Sequence, residues 1–129
     1  MTTENSELVA EYDHDCRIVR EHVEDDADHY HYEGPLGRVK SFRSLDKAEL
    51  YADVQTVTGG FREEKTGERG VPPAVARARE DTLMAYLVSN PTMGMEWVQR
   101  FYSDVDEDVV RGYVQNVQSR AEELRKANE

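Results

Sequence analysis

The spacing of apolar residues changes once along the chain, and this change limits the folds open to it. Between residues 16 and 42, apolar and aromatic side chains tend to alternate with polar ones, as is typical of β-strands. An acidic turn at 24–28 and a Gly-Pro-Leu-Gly turn at 34–37 divide this stretch into three strands. From Leu45 onward, apolar residues recur every three or four positions, as in helices. The sequence therefore predicts an α+β fold that begins with a three-stranded antiparallel meander.

Residues with strong positional preferences mark where the predicted helices begin and end. Ser44 is a suitable N-cap for a helix over 45–58, and a Gly-Gly pair ends it. After a Gly-rich loop, three further helices are predicted over 74–89, 95–102 and 106–126. Four segments result: a flexible acidic N-terminus 1–15, a β-meander plus helix 16–60, a loop 61–71, and a helical unit 72–129.

Acidic residues greatly outnumber basic ones. The chain has 27 Asp and Glu against 16 Lys and Arg, which gives a formal net charge of -11, and few of the basic residues are lysines. Such a surface repels itself in dilute buffer, but the Debye length falls to about 3 Å at 1 M salt. This carboxylate-rich, lysine-poor composition resembles that of cytoplasmic proteins from salt-loving archaea. The resemblance implies a potassium-rich solvent, in which acidity says little about the protein's partners.

Three further features of the sequence indicate a cytoplasmic location. Cys16 is the only cysteine, so an internal disulfide is impossible and a reducing compartment suits the chain. The longest unbroken apolar run, 83–88, is far shorter than the roughly 20 residues that cross a bilayer. The N-terminus is polar and acidic, unlike a secretory signal peptide. We therefore expect no membrane contact.

A helix, a short turn and a second helix are predicted in the C-terminal third. The helix 95–102, the turn 103–105 and the start of the helix 106–126 resemble the helix-turn-helix superfamily. The resemblance implies that the last helix lies in the major groove of DNA. On its side opposite the apolar stripe are amide and guanidinium groups that can form paired hydrogen bonds with base edges. These residues are Arg111, Gln115, Asn116 and Gln118.

The Gly-rich loop adds basic residues in the least acidic part of the chain. Arg62, Lys65 and Arg69 are candidates for phosphate contacts. Together with the last helix, they predict a small DNA-binding transcriptional regulator. Two other interpretations stay open: a purely structural three-helix bundle, and a non-enzymatic interaction module or adaptor. The adaptor would use Trp97, Tyr102, Tyr113 and the end of the last helix as a protein interface.

The last helix also has apolar residues at heptad spacing. The stripe consists of Val110, Val114, Val117, Ala121 and Leu124. Docking within its own bundle explains the first half of this stripe. If residues 121–126 extend past the core, the second half predicts a homodimer, which is how helix-turn-helix proteins usually match two half-sites.

The meander carries a second group of basic residues, whose arrangement depends on strand register. If Glu24 pairs with Ala27, one face of the sheet is basic. Its members would be Arg20, His22, His29, His31, Arg38 and Lys40. Three strands followed by a helix, with Phe42 and the segment 44–48 at the junction, resemble sheet-based DNA readers such as integrase arm-binding and AP2-type domains. The resemblance implies sheet contacts to DNA through Arg20, Arg38 and Lys40.

The same face raises the alternative of a metal site. His22, His29, His31 and Cys16 would project together and could hold zinc, but the paired ligand spacing of zinc sites is missing. The segment around Lys65 lacks the glycine that a phosphate loop requires before its lysine. No nucleophile arrangement can be identified from spacing either. We therefore expect neither enzymatic activity nor a metal or other cofactor.

Overall fold

Four strands and five helices lie in the part of the chain that the computed structural model describes, which comprises residues 6–12, 15–24, 27–61, 72–90, 94–101 and 105–127. The strands are β1 (Ser6–Tyr12), β2 (Cys16–Glu21), β3 (His29–Gly34) and β4 (Gly37–Phe42). The helices are α1 (Leu45–Thr58), α2 (Pro73–Ala76), α3 (Glu80–Ser89), α4 (Met95–Phe101) and α5 (Glu107–Ala127). The predicted α+β class is confirmed.

The sheet has one strand more than predicted. Its order is β1-β2-β3-β4, with every neighbouring pair antiparallel. β1 lies in the segment predicted to be a flexible N-terminus, and that prediction was wrong for residues 6–12. A bulge between Leu8 and Ala10 breaks the alternation of the strand, so the sequence lacks the period of two that would reveal it. Val9, Ala10 and Tyr12 pack against the core, whereas Leu8 is 53% exposed.

The register between β2 and β3 differs by one residue from the predicted one. Arg20 lies opposite Tyr30, whereas the predicted register would place it opposite His31. Gly34 pairs with Gly37 as expected, but a bulge next to this turn changes the register along β4. The two shifts decide which side chains share a face of the sheet.

Burial of the bulky side chains accounts for this register. Ile18, Tyr32 and Phe42 are each at most 4% exposed and belong to one core cluster, on the sheet face that packs against α1. The predicted register would have turned Val19 toward the core in place of Ile18. Burying the larger side chain removes more apolar area from water, at about 25 cal/mol per Å².

Helix α1 begins and ends as predicted and occupies the centre of the molecule. The Ser44 hydroxyl accepts a hydrogen bond from the Lys47 N–H at 3.4 Å, and Gly59 adopts a left-handed conformation with φ of 79° at the other end. The sheet packs on one side of α1, while α3 and α5 pack on others. Because neighbours surround the helix, even Asp53 and Gln55 are buried.

The helix predicted over 74–89 is interrupted. α2 ends at Ala76, and Arg79 adopts an extended conformation (φ -63°, ψ 156°) immediately before α3. Glu80 and Asp81 then occupy the first turn of α3, where the helix dipole favours carboxylates. The C-terminal part therefore contains two shorter helices where one was predicted, followed by α4 and α5 close to their predicted bounds.

A single aromatic cluster joins the N-terminal and C-terminal segments. The Tyr51 ring on α1 contacts the rings of Tyr32, Phe42, Phe61 and Tyr86 at centroid distances of 5.3 to 6.3 Å. These rings come from the sheet, from the residue after the Gly-Gly pair, and from α3. The described residues of the two predicted segments, 16–60 and 72–129, therefore share one hydrophobic core.

Among the described helices, none combines the length and the apolar character needed to span a membrane.

Candidate functional site

Helix α5 has a buried side and an exposed side, as its sequence predicts. Val110, Val117 and Ala121 are fully buried and lie against α1 and α3. The four residues of this helix that were predicted to contact DNA are exposed on its other sides: Arg111, Gln115, Asn116 and Gln118. The predicted loop contacts Arg62, Lys65 and Arg69 lie outside the described residues.

The exposed side of α5 carries charges of both signs. Arg111 forms an ion pair with Glu107, one turn earlier in the helix. Asp108, Glu122 and Glu123 are also exposed. The site is therefore a polar surface rich in amides, with its guanidinium group held by a carboxylate.

The three C-terminal helices contact one another. α3 packs against both α4 and α5, and α4 also touches α5. In addition, α5 packs against α1 about as extensively as against α3, so it is held on two sides. The unit predicted to be helix-turn-helix-like thus rests on the central helix of the fold rather than standing alone.

The heptad stripe of α5 serves the core of the same chain. Three of its five residues are fully buried and Val114 is half-buried, whereas Leu124 is 43% exposed. Near the end of α5, Arg125 Nη1 donates to Asp53 Oδ1 on α1 at 3.0 Å, which ties this residue to the fold of its own chain, and the homodimer stays a prediction. The buried residues of the stripe therefore pack against other helices of the same chain, and Leu124 is the one exposed residue of the stripe.

One buried ion pair fixes the middle of α5 to α3. Arg120 Nη1 donates to Asp81 Oδ2 at 2.9 Å, and Arg120 Nη2 donates to the Thr82 hydroxyl at 2.9 Å. The Thr82 hydroxyl in turn donates to Asp81 at 3.1 Å. Burial alone would raise the pKa of Asp81, but the hydrogen bonds and the positive charge of Arg120 outweigh it and lower the pKa. Asp81 is thus a well-compensated buried carboxylate.

A second ion pair fixes the C-terminal end of α5 to α1, and it is less well compensated. The Asp53 side chain is 10% exposed and pairs with Arg125, whose guanidinium also lies 5.5 Å from the centre of the Tyr12 ring. Burial raises the pKa of Asp53 to about 6 despite Arg125, and the nearby carboxylates Glu49 and Glu122 add to the rise. Burial also raises the pKa of Tyr12 to about 12.

A groove of about 870 Å³ opens beside this second pair. Its walls come from α1 and α5, with single residues from β1 and α3. The lining residues are Tyr12, Asp46, Lys47, Glu49, Leu50, Asp53, Val88, Val114, Gln115, Gln118, Ser119, Glu122 and Arg125. Two of the predicted DNA contacts, Gln115 and Gln118, thus lie on a wall of the groove.

The basic sheet face does not form, because the register separates its members. Arg20 lies over the Tyr30 ring at 5.7 Å and pairs with Glu7. The Lys40 ammonium lies 5.2 Å from the centre of the Tyr86 ring, on the face toward the helices. Arg38, opposite Glu33, is on the other face. Arg20 and Lys40 thus share the side of the sheet that carries Ile18 and Phe42, while Arg38 lies on the other side, so the three predicted contacts do not form one surface.

His31 and His22 form hydrogen bonds with side chains of the sheet and of the β2–β3 connection. His31 is 3% exposed, with Nδ1 at 2.7 Å from the Ser41 hydroxyl and Nε2 at 2.7 Å from a Glu21 oxygen. The hydrogen bond from His31 lowers the pKa of Glu21. His22 pairs with Asp28, and Cys16 packs against the core.

The described residues contain no cluster of three or more His, Cys, Asp or Glu side chains arranged to hold a metal ion. The proposed zinc alternative therefore has no support among the described histidines.

The predicted adaptor interface is partly used within the fold. Trp97 and Tyr113 are half-buried and pack against the core, and the Tyr113 hydroxyl donates to Glu80 at 2.9 Å. Tyr102 lies outside the described residues. What stays accessible on α5 is mainly polar.

Sequence reasoning missed both buried carboxylates and the groove. One local signal was present: Asp53 follows the apolar run Leu50, Tyr51 and Ala52 and precedes Val54, so a charge interrupts an apolar part of the helix. Its partner on α5 is 72 residues away and could not be paired with it from spacing. Comparison of this chain with protein-family models, with curated proteins and with solved structures finds no match.

Proposed function

We propose that the protein is a small DNA-binding regulator that contacts base edges through the exposed side of α5. The observation that carries the proposal is that α5 exposes a set of amide and guanidinium side chains while Val110, Val117 and Ala121 on its other side are fully buried: Arg111, Gln115, Asn116 and Gln118. Amide and guanidinium groups are the side chains best suited to paired hydrogen bonds with adenine and guanine. The contact of α5 with α3 and α4 agrees with this arrangement.

The Arg111–Glu107 ion pair is compatible with DNA contact. Both side chains are well exposed, at 64% and 43%. An exposed pair one turn apart in a helix contributes only about 0.3–0.5 kcal/mol, so Arg111 can exchange Glu107 for a base or phosphate at low cost.

The excess of acidic residues determines the salt concentration at which this protein could bind DNA. In dilute salt the net charge of -11 repels DNA phosphates, whereas at molar salt this repulsion is screened within a few ångströms. The same salt weakens phosphate contacts steeply. Recognition would therefore depend on base edges and apolar contacts, which is consistent with an amide-rich surface.

A selection experiment tests the proposal. Duplexes selected from a random pool in about 2 M KCl are compared with scrambled duplexes by fluorescence anisotropy. Arg111→Ala and Gln115→Ala should each cost about 1–3 kcal/mol of selective binding, or roughly 5- to 150-fold. Lys126→Ala is the matched control, since Lys126 is also basic and exposed on α5 but lies four turns away. No sequence-selective binding by the folded protein would refute the proposal.

A protein-interaction module is the second candidate, and one observation favours it. Leu8 on the edge strand β1 is 53% exposed and lies opposite Val19. If β1 binds a protein partner, Leu8→Ser should abolish co-purification of the protein that the native chain retains from cell extract. Leu36→Ser is the control and should leave that co-purification unchanged, although Leu36 on the β3–β4 turn is 97% exposed. Equal effects of the two substitutions would exclude β1 as the interface.

A further inference from the structure

The groove between α1 and α5 is large enough for a small molecule and is built from both polar and apolar groups. Its volume of about 870 Å³ lies in the range of typical ligand pockets, about 300–1,000 Å³. Leu50, Val88 and Val114 give it apolar wall area, and the Tyr12 ring adds an aromatic surface. A ligand with an aliphatic portion would therefore remove apolar area from water here.

The charged groups of the groove have a regular spacing. Asp46, Glu49 and Asp53 occupy positions i, i+3 and i+7 of α1, which place them on one stripe of the helix. At 1.5 Å per residue, successive carboxylates are separated along the helix axis by about 5 and 6 Å. Glu122 supplies a fourth carboxylate from α5. The groove thus has a row of negative charges along one wall and one more opposite.

The basic residues of the groove are occupied by other contacts. The Lys47 ammonium donates to the Asn90 carbonyl at 3.3 Å, and the Arg125 guanidinium is held by Asp53. Within the described residues, no ion pair links a basic group to Asp46, Glu49 or Glu122. Among the described residues, the lining of the groove has four carboxylates, Asp46, Glu49, Asp53 and Glu122, against the two cationic groups of Lys47 and Arg125, so negative charge is in excess.

We propose that this groove binds a linear aliphatic diamine or polyamine. Two ammonium groups joined by a short methylene chain match carboxylates one helical turn apart, while the methylenes lie against the apolar wall and the Tyr12 ring. The ligand would also compensate the carboxylates that surround Asp53. This binding site does not depend on DNA contact, although Gln115 and Gln118 border both surfaces.

Titration with 1,4-diaminobutane tests the site. Backbone amide shifts of the protein are followed by NMR at constant ionic strength, first in about 0.5 M and then in about 2 M KCl. Saturable shifts should be confined to the facing segments of α1 and α5. Butylamine should bind at least about tenfold more weakly, and 1,4-butanediol should give no saturable shifts, because each lacks charges needed for the carboxylate row.

Two variants separate this site from general attraction of cations to an acidic surface. Glu49→Gln should weaken diamine binding about fivefold or more, because it removes a charge from the middle of the row without breaking an ion pair. Glu123→Gln is the matched control, since Glu123 is exposed on α5 outside the groove. Equal binding by both variants, or equal shifts with the diamine and the monoamine, would overturn the proposal. Neither result bears on DNA binding, which is measured without diamine.

Discussion

Two buried aspartates hold α5 in place, each through an arginine, yet their surroundings differ in kind. Asp81 receives hydrogen bonds from Arg120 and Thr82, and its pKa is lowered. Asp53 has the hydrogen bond from Arg125 but is surrounded by further carboxylates, and burial raises its pKa to about 6. The middle of α5 is thus anchored by a carboxylate with several hydrogen bonds, whereas its C-terminal end borders a groove with more carboxylates than cationic groups in its lining.

The largest effect is expected at the well-compensated pair. Arg120→Ala leaves Asp81, only 5% exposed, without its main charge partner, and should reduce the free energy of unfolding by about 3 kcal/mol. Urea unfolding followed by circular dichroism in about 2 M KCl measures this change. Arg79→Ala is the control, because Arg79 is 73% exposed and 3.7 Å from Asp81, and it should cost less than about 0.5 kcal/mol. Similar losses of unfolding free energy in both variants would contradict the view that Arg120, and not Arg79, stabilises the buried Asp81.

The two aspartates should also give opposite pH dependences. Since the pKa of folded Asp53 is raised from 3.8 to about 6, its ionisation disfavours folding, and stability from this group is lost as pH rises from about 4 to about 6. Asp53→Asn cannot ionise, so its unfolding free energy relative to the native protein should rise over this window, by on the order of 2 kcal/mol.

Asp81→Asn is the matched comparison and should behave in the opposite sense. Its lowered pKa gives stability that is present above the unfolded pKa and lost as pH falls through the folded one. The variant should therefore become less stable relative to the native protein as pH rises. Urea unfolding of both variants and the native protein at several pH values measures the two slopes, and slopes of the same sign would contradict the contrast drawn between the two sites.

The smallest effect on stability is expected for Arg111, the arginine of α5 that contacts neither buried aspartate. Within the described part of the chain, Arg111 pairs with Glu107 on the exposed side of the helix, so Arg111→Ala should change the free energy of unfolding by less than about 0.5 kcal/mol. The same unfolding experiment measures it. A loss of DNA binding in this variant would then report on contact rather than on folding, whereas a loss of stability above about 1 kcal/mol would assign Arg111 a structural role.

Local signals in the sequence were sufficient to predict where most helices and strands begin and end. Ser44 and Gly59 mark the ends of α1 because capping depends on residues next to the helix ends. The exposed residues of α5 followed from helical periodicity alone. Strand β1 was missed because its bulge removes the alternation that identifies a strand, and the break before α3 was missed because the apolar spacing continues through it.

The sequence by itself determined the fold class, the helices α1, α4 and α5, and the polar side of α5, since these depend on spacing within one segment. The tertiary structure decided the sheet register, which followed from burial of Ile18, Tyr32 and Phe42 together. It also decided the two ion pairs of α5 and the groove, because Asp53 and Arg125 come from helices far apart in the chain. Contacts between distant segments depend on how whole elements pack, and no local pattern encodes them.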